Sequence, residues 1–268
     1  MAPNNDDPIT GSPAEIYDQY NVPALFGPWS EDFVGFVAPT SGQSILDVAC
    51  GTGALTKLLA DRTDKSNRVV GLDFDGAMLS IASSHRPDIE WHEANAMDMP
   101  FQDAEFDIVT SHQGFQFIPD RQTGLREIHR VLKPNGRVKF SIWRSIEYIP
   151  GYHAISKALA KWVNPDVAKL GAFALGDPDT LRDLVGGVGF VDIEIHAVSK
   201  HVHFPSAERF VELAIAGSSA LTRQALSEVS ANDMISFKND VEEMLMQYET
   251  PTGLALPTET HYLMARKP

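Results

Sequence analysis

The chain contains a single cysteine, few basic residues for its number of acids, and no long apolar run. One cysteine among 268 residues excludes an internal disulfide and is typical of a reducing compartment. Lys and Arg number 22 against 36 Asp and Glu, a net charge of −14 that repels phosphate backbones, so we expect no nucleic acid partner. No stretch approaches the roughly 20 apolar residues that cross a bilayer, which predicts no membrane span. Residues 1–13 are polar, unlike a signal peptide, and we expect a cytoplasmic protein.

The chain does contain a regular alternation of strand-like and helix-like segments. Apolar residues make up 43% of it and charged residues 22%, as is ordinary for a globular protein. Apolar runs predict strands at 44–49, 68–73, 89–94, 106–111 and 137–143, and the pattern between them predicts helices at 54–61, 76–84 and 121–132. Pro134 and Asn135-Gly136 should end the last helix and turn the chain into strand five. This order is typical of a parallel sheet that binds ligands at the carboxyl ends of its strands.

The segment from Ser44 to Thr56 (SILDVACGTGALT) is the most informative. An apolar strand carries Asp47 near its end, and Gly51 and Gly53 then form a tight turn into a helix. A dinucleotide site would use Gly-x-Gly-x-x-Gly to hold a pyrophosphate, but Thr56 replaces the third glycine and Asp47 would lie close to the phosphates. The turn therefore favours a nucleoside ligand that carries an amine and hydroxyls.

A second carboxylate follows the next strand. Asp73 ends the apolar run Arg68–Leu72 and lies 20 residues after Gly53. At the tip of a second parallel strand, a carboxylate can accept hydrogen bonds from ribose hydroxyls. Each feature alone also fits a purely structural turn or a solvated strand end, but together they favour a cofactor site.

These segments resemble the class I S-adenosylmethionine-dependent methyltransferases, and are most similar to their type 11 domain, which includes the ubiquinone and menaquinone biosynthesis methyltransferases. The resemblance covers about residues 16–143 and rests on four motifs in the expected order. It implies S-adenosyl-L-methionine as the cofactor. It also implies a Rossmann-like three-layer α/β sandwich, with a mostly parallel seven-stranded sheet, an antiparallel last strand and a helical lid.

The resemblance assigns cofactor contacts residue by residue. The first motif would hold the methionine part, Asp73 the ribose, and two apolar side chains the adenine ring. Asn95 stands where the family usually has aspartate, but its amide oxygen can still accept a proton from the adenine amine. A tyrosine of the N-terminal segment, Tyr17 or Tyr20, would close the site. The implied cofactor contacts are Tyr20, Asp47, Ala49, Gly51, Gly53, Asp73, Phe74, Met78, Asn95, Ala96, Met97 and Ser111.

Regions outside the core suggest how the chain is divided. We expect an N-terminal helical flap at 1–40, rich in aromatic residues and broken into short helices by Pro23 and Pro28. The methyltransferase core is expected at 41–205 and 250–268, with a small helical insertion near 148–176 and a sixth strand at 190–195. A helical lid is expected at 206–249. The sequence leaves a homodimer open.

The end of strand four is the expected reaction site. His112 is the candidate general base, because imidazole titrates near neutral pH, although it could equally only shape the pocket. Gln113 and Gln116 would orient a carbonyl or hydroxyl of the methyl acceptor. An apolar wall would come from Phe115, Phe117, Trp143 and Tyr152. Such an aromatic pocket suits a hydrophobic or aromatic acceptor.

We therefore expect a methyltransferase that acts on oxygen or carbon of a small aromatic or polyketide-like molecule by in-line displacement. A quinone-ring C-methyltransferase is the alternative, although the segment 113–117 differs from the one those enzymes carry after strand four. A catalytically idle cofactor-binding partner subunit is an alternative of another class.

Two further features have simpler explanations. Cys50 lies inside the glycine turn without a basic neighbour in sequence, so we expect packing and not nucleophilic catalysis. His201 and His203 would lie on one face of a strand, but no third ligand has matching spacing, so we expect no metal.

Overall fold

A computed structural model describes residues 9–64 and 66–268. The chain divides into two compact units. The first comprises Met1–Phe26, Ser145–Gly171 and Ser199–Glu259, and the second comprises Gly27–Arg144, Ala172–Val198 and Thr260–Pro268. Part of the predicted N-terminal flap, residues 1–8, lies outside the described residues. The division predicted from the sequence stays a prediction.

An eight-stranded sheet has the order β3-β2-β1-β4-β5-β8-β6, and a short β7 pairs with β8 beside this path. The strands are β1 (Ser44–Val48), β2 (Arg68–Asp73), β3 (Glu90–Glu93), β4 (Phe106–His112), β5 (Leu132–Trp143), β6 (Val191–Phe204), β7 (Glu249–Thr250) and β8 (Gly253–Arg266). Pairs from β3 to β5 are parallel, and β8 runs antiparallel to β5. The expected mostly parallel sheet with an antiparallel last strand is confirmed, and the additional strand is the two-residue β7.

The central strands are apolar because both faces of the sheet are covered. Ile45, Leu46 and Val48 of β1 have no exposed surface, and Val109 of β4 is equally buried. Side chains of β1, β2, β4 and β5 form one hydrophobic core with those of helices α5 (Arg121–Val131) and α7 (Pro178–Gly186). This covered sheet supports the strand ends that carry the site.

Among the described residues, the second unit contains the α-helices α2 (Gly27–Val37), α3 (Ala54–Arg62), α4 (Gly76–His85), α5 (Arg121–Val131) and α7 (Pro178–Gly186). Three of them begin at an aspartate whose side chain accepts hydrogen bonds from backbone N–H groups of the first turn, namely Asp75, Asp120 and Asp177. Such caps satisfy donors that the helix itself leaves unpaired. Helix α3 begins at Gly53 and has no side-chain cap.

A buried lysine attaches α2 to the sheet. Lys139 on β5 is 4% exposed, and its Nζ donates to the carbonyl oxygens of Phe36 and Val37, 2.8 Å from each. These carbonyls end α2, where a cation also interacts favourably with the helix dipole. Burial lowers the pKa of Lys139 to about 8.

Two boundaries differ from the prediction. Helix α5 ends at Val131, before Pro134, and β5 begins at once. The pairing moves from Phe106↔Leu132 directly to Ile108↔Arg137, so residues 133–136 form an irregularity within the strand pair and not a turn before it. Strand β6 continues to Phe204, well beyond the predicted end at 195.

The first unit is largely helical. It contains α1 (Pro13–Ile16), a π-helix (Tyr17–Phe26), α6 (Pro150–Trp162), α8 (Ala207–Ala216), α9 (Ala220–Ser227) and α10 (Ala231–Leu245). Pro23 lies inside the π-helix. The predicted break of the helix at this proline is therefore wrong. Proline has no backbone N–H, so Pro23 donates no hydrogen bond within this helix. Phe210, Phe237 and Val241 form part of the buried core of this unit.

Residues 9–64 and 66–268 contain neither a membrane-spanning helix nor a metal-binding cluster. None of the helices there has the length and apolarity to cross a membrane. No group of three or more His, Cys, Asp or Glu side chains there could hold a metal ion. His201 and His203 are both exposed on β6, on either side of the buried Val202.

Gly71 on β2 provides a test of the packing beneath the site. It pairs with Asp47 on one side and with Trp91 on the other, and a Cβ there would overlap the Trp91 indole. Gly71→Ala is therefore expected to lower the free energy of unfolding by about 1–3 kcal/mol, measured by urea denaturation. Gly35→Ala on α2, where a Cβ meets nothing within 4 Å, is the matched control and should not destabilise. Equal stability of the two variants would contradict this packing.

Candidate active site

Asp47 is buried between a strand and a helix. Its side chain is 1% exposed, accepting from Thr56 Oγ1 of α3 at 2.6 Å and from Thr110 Oγ1 of β4 at 3.0 Å. Burial raises the pKa of Asp47 to about 7, against the opposing effect of the two hydroxyl donors and with a smaller contribution from the charge of Asp73. A carboxylate held in this way is ready to receive a cationic ligand, which would favour its ionised form.

The turn after Asp47 uses left-handed backbone at three positions. Ala49 has φ 55°, Gly51 has φ 57° and Gly53 has φ 77°. This conformation is uncommon for residues that carry a Cβ, so Ala49 is held there at some cost, as is frequent near functional sites. Because α3 then starts without a side-chain cap, its first N–H groups are available to an anionic group such as a carboxylate.

Asp73 connects the ends of β1 and β2. It is 7% exposed, and its two oxygens accept from Gly51 N at 2.7 Å and from Asp75 N at 3.0 Å. Burial raises the pKa of Asp73, and the backbone donors oppose that shift. Each carboxylate oxygen has a second acceptor position, so further hydrogen bonds to ligand hydroxyls are available.

Phe74 is 78% exposed directly beside Asp73. Met78 lies in the first turn of α4 and is half-buried. Asn95 is exposed and its Oδ1 accepts from Met97 N at 2.9 Å, while Ala96 and Met97 pack against the hydrophobic core. The predicted adenine contacts thus lie in the segments that follow β2 and β3, and the Phe74 ring among them is exposed.

Cys50 lies in the same turn. Its pKa is raised by burial first, and further by the charges of Asp47 and Asp73. It therefore stays protonated, which agrees with a packing role and makes it a poor nucleophile.

Ser111 and His112 end β4. Ser111 is fully buried, and its Oγ has no hydrogen-bond partner among residues 9–64 and 66–268. The His112 imidazole stacks on the Phe33 ring of α2, with 5.5 Å between centroids and an interplanar angle of 19°. The role of His112 as a base stays a prediction.

Gln113 and Gln116 form a buried chain of amides. Gln113 Nε2 donates to Ser141 Oγ at 3.0 Å and to Thr260 Oγ1 at 2.9 Å. Gln116 Nε2 donates to the backbone oxygen of Gln113 at 2.9 Å and to its Oε1 at 3.4 Å. Both Nε2 and Oε1 of Gln113 are thus hydrogen-bonded within the protein. Gln116 Oε1 has no hydrogen-bond partner among the residues that the structure describes.

The residues of the predicted apolar wall belong to both units, and the fourth, Phe117, is 61% exposed. Phe115 is fully buried and stacks on Phe140 in the core, 4.6 Å between ring centroids. Trp143 meets Trp29 edge to face at 6.0 Å. Tyr152 belongs to the first unit, where burial raises its pKa to about 12. Their contact with an acceptor stays a prediction.

Tyr20, the predicted closing tyrosine, also belongs to the first unit. It is buried, and the Arg209 guanidinium lies over its ring at 5.2 Å from the centroid. Its cofactor contact stays a prediction.

Sequence reasoning missed the hydroxyl partners of the site: Thr56, Thr110, Ser141 and Thr260. Thr56 stands one helical turn after the glycines, so its position could have indicated a partner for Asp47. Thr260 is 147 residues from Gln113, and no local pattern signals that contact.

The sequence of this chain is similar to that of known methyltransferases. A profile of the ubiE/COQ5 methyltransferase family matches residues 12–183. Demethylmenaquinone methyltransferase of Lactococcus lactis subsp. lactis is 35% identical over 207 residues, which cover 69% of this chain and 82% of that protein. The 2-phytyl-1,4-naphtoquinone methyltransferase of Thermosynechococcus vestitus is 41% identical over 130 residues, which cover 46% of this chain and 58% of that protein.

A solved structure shares the fold. Phosphoethanolamine N-methyltransferase 2 of Haemonchus contortus, in complex with S-adenosyl-L-methionine, superposes with a TM-score of 0.56 at 18% identity. The match covers 97% of this chain and 60% of that one. The expected Rossmann-like methyltransferase fold is confirmed.

The raised pKa of Asp47 predicts how stability depends on pH. The folded state keeps a proton that the unfolded state releases above about pH 4, so stability without ligand should fall as pH rises from about 4 to about 7. Asp47→Asn removes this proton exchange and should show a shallower slope in urea denaturation over that range. Asp183→Asn, at an exposed position of α7, is the control and should follow the wild type. Parallel curves for Asp47→Asn and the wild type would contradict the assignment.

Proposed function

The chain belongs to the ubiE/COQ5 methyltransferase family, and from that premise we propose that it transfers a methyl group from S-adenosyl-L-methionine to a ring carbon of a quinone-class acceptor. The proposal of a quinone as methyl acceptor is supported by the 35% identity to a demethylmenaquinone methyltransferase, over 82% of that protein. This favours the quinone alternative over the broader aromatic or polyketide-like acceptor that the pocket residues suggested.

The residues present fit the cofactor. Two nearly buried carboxylates, Asp47 and Asp73, lie beside a turn with left-handed backbone, and α3 has an uncapped first turn. Asp47 would stabilise the ammonium of the methionine part and the α3 amides its carboxylate, while Asp73 would accept from the ribose hydroxyls. When bound, S-adenosyl-L-methionine supplies an electrophilic methyl group on a sulfonium.

The exposed ring of Phe74 supports the same assignment. A large aromatic side chain that is 78% exposed at the tip of β2 is available to stack on a planar base. Asn95 Oδ1 has one acceptor position left beside its bond to Met97 N, which suits an exocyclic amine.

The role of the chain in the reaction is mainly to position the acceptor and exclude water. Methyl transfer in line needs the nucleophilic atom about 3 Å from the methyl carbon, and positioning alone can supply on the order of 7–11 kcal/mol. The ring carbon that gains the methyl group must lose its proton. We assign the acceptance of that proton to the His112 imidazole at the end of β4.

Binding of the product cofactor tests the Asp73 assignment without any turnover. Asp73→Asn is expected to weaken S-adenosylhomocysteine binding by about 1.5–3 kcal/mol, because a charged acceptor is lost and the new amide opposes the N–H of Gly51 or Asp75. Isothermal titration calorimetry measures this change, with Asp183→Asn as the control. An unchanged dissociation constant would remove Asp73 from the ribose site.

The reaction itself is tested with a methyl-deuterated donor. On incubation with 2-prenyl-1,4-naphthohydroquinone, we expect a product in which CD3 replaces the ring proton, identified by mass spectrometry and NMR. A parallel incubation with 1-naphthol distinguishes the broader reading, because methylation confined to its oxygen would favour an O-methyltransferase. S-Adenosylhomocysteine binding without turnover of any acceptor would favour an idle partner subunit.

A further inference from the structure

Asp47 is the more deeply buried of the two carboxyl groups of the site, and the chain gives it no counter-charge. It is 1% exposed, and among residues 9–64 and 66–268 it forms no ion pair. Its hydrogen-bond donors are two neutral hydroxyls, Thr56 Oγ1 at 2.6 Å and Thr110 Oγ1 at 3.0 Å. A carboxylate taken out of water is costly unless a cation or several strong donors replace that water. The ionised form of Asp47 is therefore poorly compensated in the ligand-free protein.

The two hydroxyl contacts also suit a protonated Asp47. Thr110 Oγ1 lies 3.4 Å from the Leu46 carbonyl oxygen as well, so its single proton is shared between that carbonyl and Asp47. Thr56 Oγ1 can accept from a protonated carboxyl group over the same 2.6 Å at which it donates to an ionised one, because a hydroxyl does both. The hydrogen bonds around Asp47 thus accommodate the neutral form without rearrangement.

The titratable groups that face Asp47 are Asp73 at the end of β2 and the Cys50 thiol of the turn. The packed helix α3 and strand β4 present the hydroxyls of Thr56 and Thr110. Asp73 accepts from two backbone N–H groups, so its charge is better compensated, and that charge opposes ionisation of Asp47. Of two neighbouring carboxyl groups, the less compensated one keeps its proton to higher pH. Burial and, to a smaller extent, the charge of Asp73 raise the pKa of Asp47 to about 7.

We infer that Asp47 holds a proton in the ligand-free protein and releases it to solvent when the α-ammonium of the cofactor binds. This rests on the proposed function, which places that ammonium against Asp47. An ammonium has three donors and no acceptor, and its charge favours the ionised carboxyl group. The O–H bond of the carboxyl group breaks, the proton passes to water, and the remaining carboxylate pairs with the ammonium. Affinity for the cofactor therefore rises with pH, whereas affinity for a nucleoside without the ammonium does not.

The size of this effect follows from linkage between proton and ligand. Binding lowers the raised pKa of Asp47, so affinity is complete above that pKa and is lost as pH falls through it. If the ionised form alone accepts the ammonium, a pKa of about 7 gives a gain in affinity on the order of twentyfold from about pH 5.5 to about pH 7.5.

Proton release is measured on the unmodified chain. S-Adenosylhomocysteine is titrated by calorimetry at about pH 6.5 in phosphate and in Bis-Tris, two buffers with different enthalpies of ionisation. The difference in heat should correspond to about 0.8 proton released per site, the fraction of Asp47 that is protonated at that pH. 5′-Methylthioadenosine has the same adenosine part and a thioether but no ammonium. It should release no proton, and its affinity should stay within about twofold over the whole pH range.

A pair of substitutions on β4 assigns the proton to Asp47. Thr110→Val removes a donor to the carboxylate, so it should move the pH dependence of S-adenosylhomocysteine binding to higher pH and weaken binding severalfold near neutral pH. Thr110→Ser keeps the hydroxyl, is the matched control and should retain the wild-type profile. Asp47→Asn should release no proton. The affinity of each variant for 5′-methylthioadenosine shows whether its adenosine site is folded.

The outcomes distinguish this inference from the function on which it rests. If S-adenosylhomocysteine does not bind at any pH, the cofactor assignment fails and the inference falls with it. If it binds with the same heat in both buffers, the cofactor assignment stands and Asp47 is already ionised, so the inference is wrong. Equal proton release with 5′-methylthioadenosine, or identical pH profiles for Thr110→Val and Thr110→Ser, would overturn the assignment to Asp47 and the ammonium.

Discussion

The site depends on keeping two carboxylates, Asp47 and Asp73, almost out of contact with water at the end of a parallel sheet. Asp47 is tolerated because hydroxyls from α3 and β4 donate to it, and Asp73 because two backbone N–H groups do. Burial raises the pKa of both. Folding is therefore less favourable here than it would be with apolar side chains. A cationic ligand with hydroxyls would recover that energy on binding. The arrangement makes affinity for such a ligand a consequence of how the sheet is built.

The rest of the second unit maintains this arrangement. The β1 and β2 strands pair so that Asp47 stands opposite Gly71, and the absence of a side chain there leaves room for the Trp91 indole. On the other side of β1, Thr110 of β4 reaches Asp47 directly. Lys139 of β5 fixes the end of α2, the helix whose Phe33 stacks on His112. Each strand from β2 to β5 thus contributes one contact to the site or its support.

The sequence indicates those parts of the site that local chain geometry determines. Asp47, the glycines and Asp73 are recognisable because a parallel strand followed by a tight turn brings its last residues to the sheet edge whatever the rest of the fold does. The role of Gln113 is not recognisable in this way, because it depends on Ser141 and on Thr260, which arrive on other strands. The predicted start of β5 at residue 137 is wrong for a related reason, since the strand begins at Leu132. Pro134 and Gly136 do form an irregular segment, but pairing with β4 holds it inside the strand. The class of methyl acceptor is proposed from relatives alone, because the sequence does not show which donors and acceptors of a pocket are left without partners.

The chemistry of Cys50 has a consequence for the ligands proposed here. Quinones are Michael acceptors that arylate thiolates, so a free sulfhydryl near their binding site is a liability. The chain has one cysteine in all, and it lies beside two carboxylates whose charge, together with burial, disfavours the thiolate. With its thiol kept protonated, the chain would resist covalent inactivation by any quinone that reached this turn.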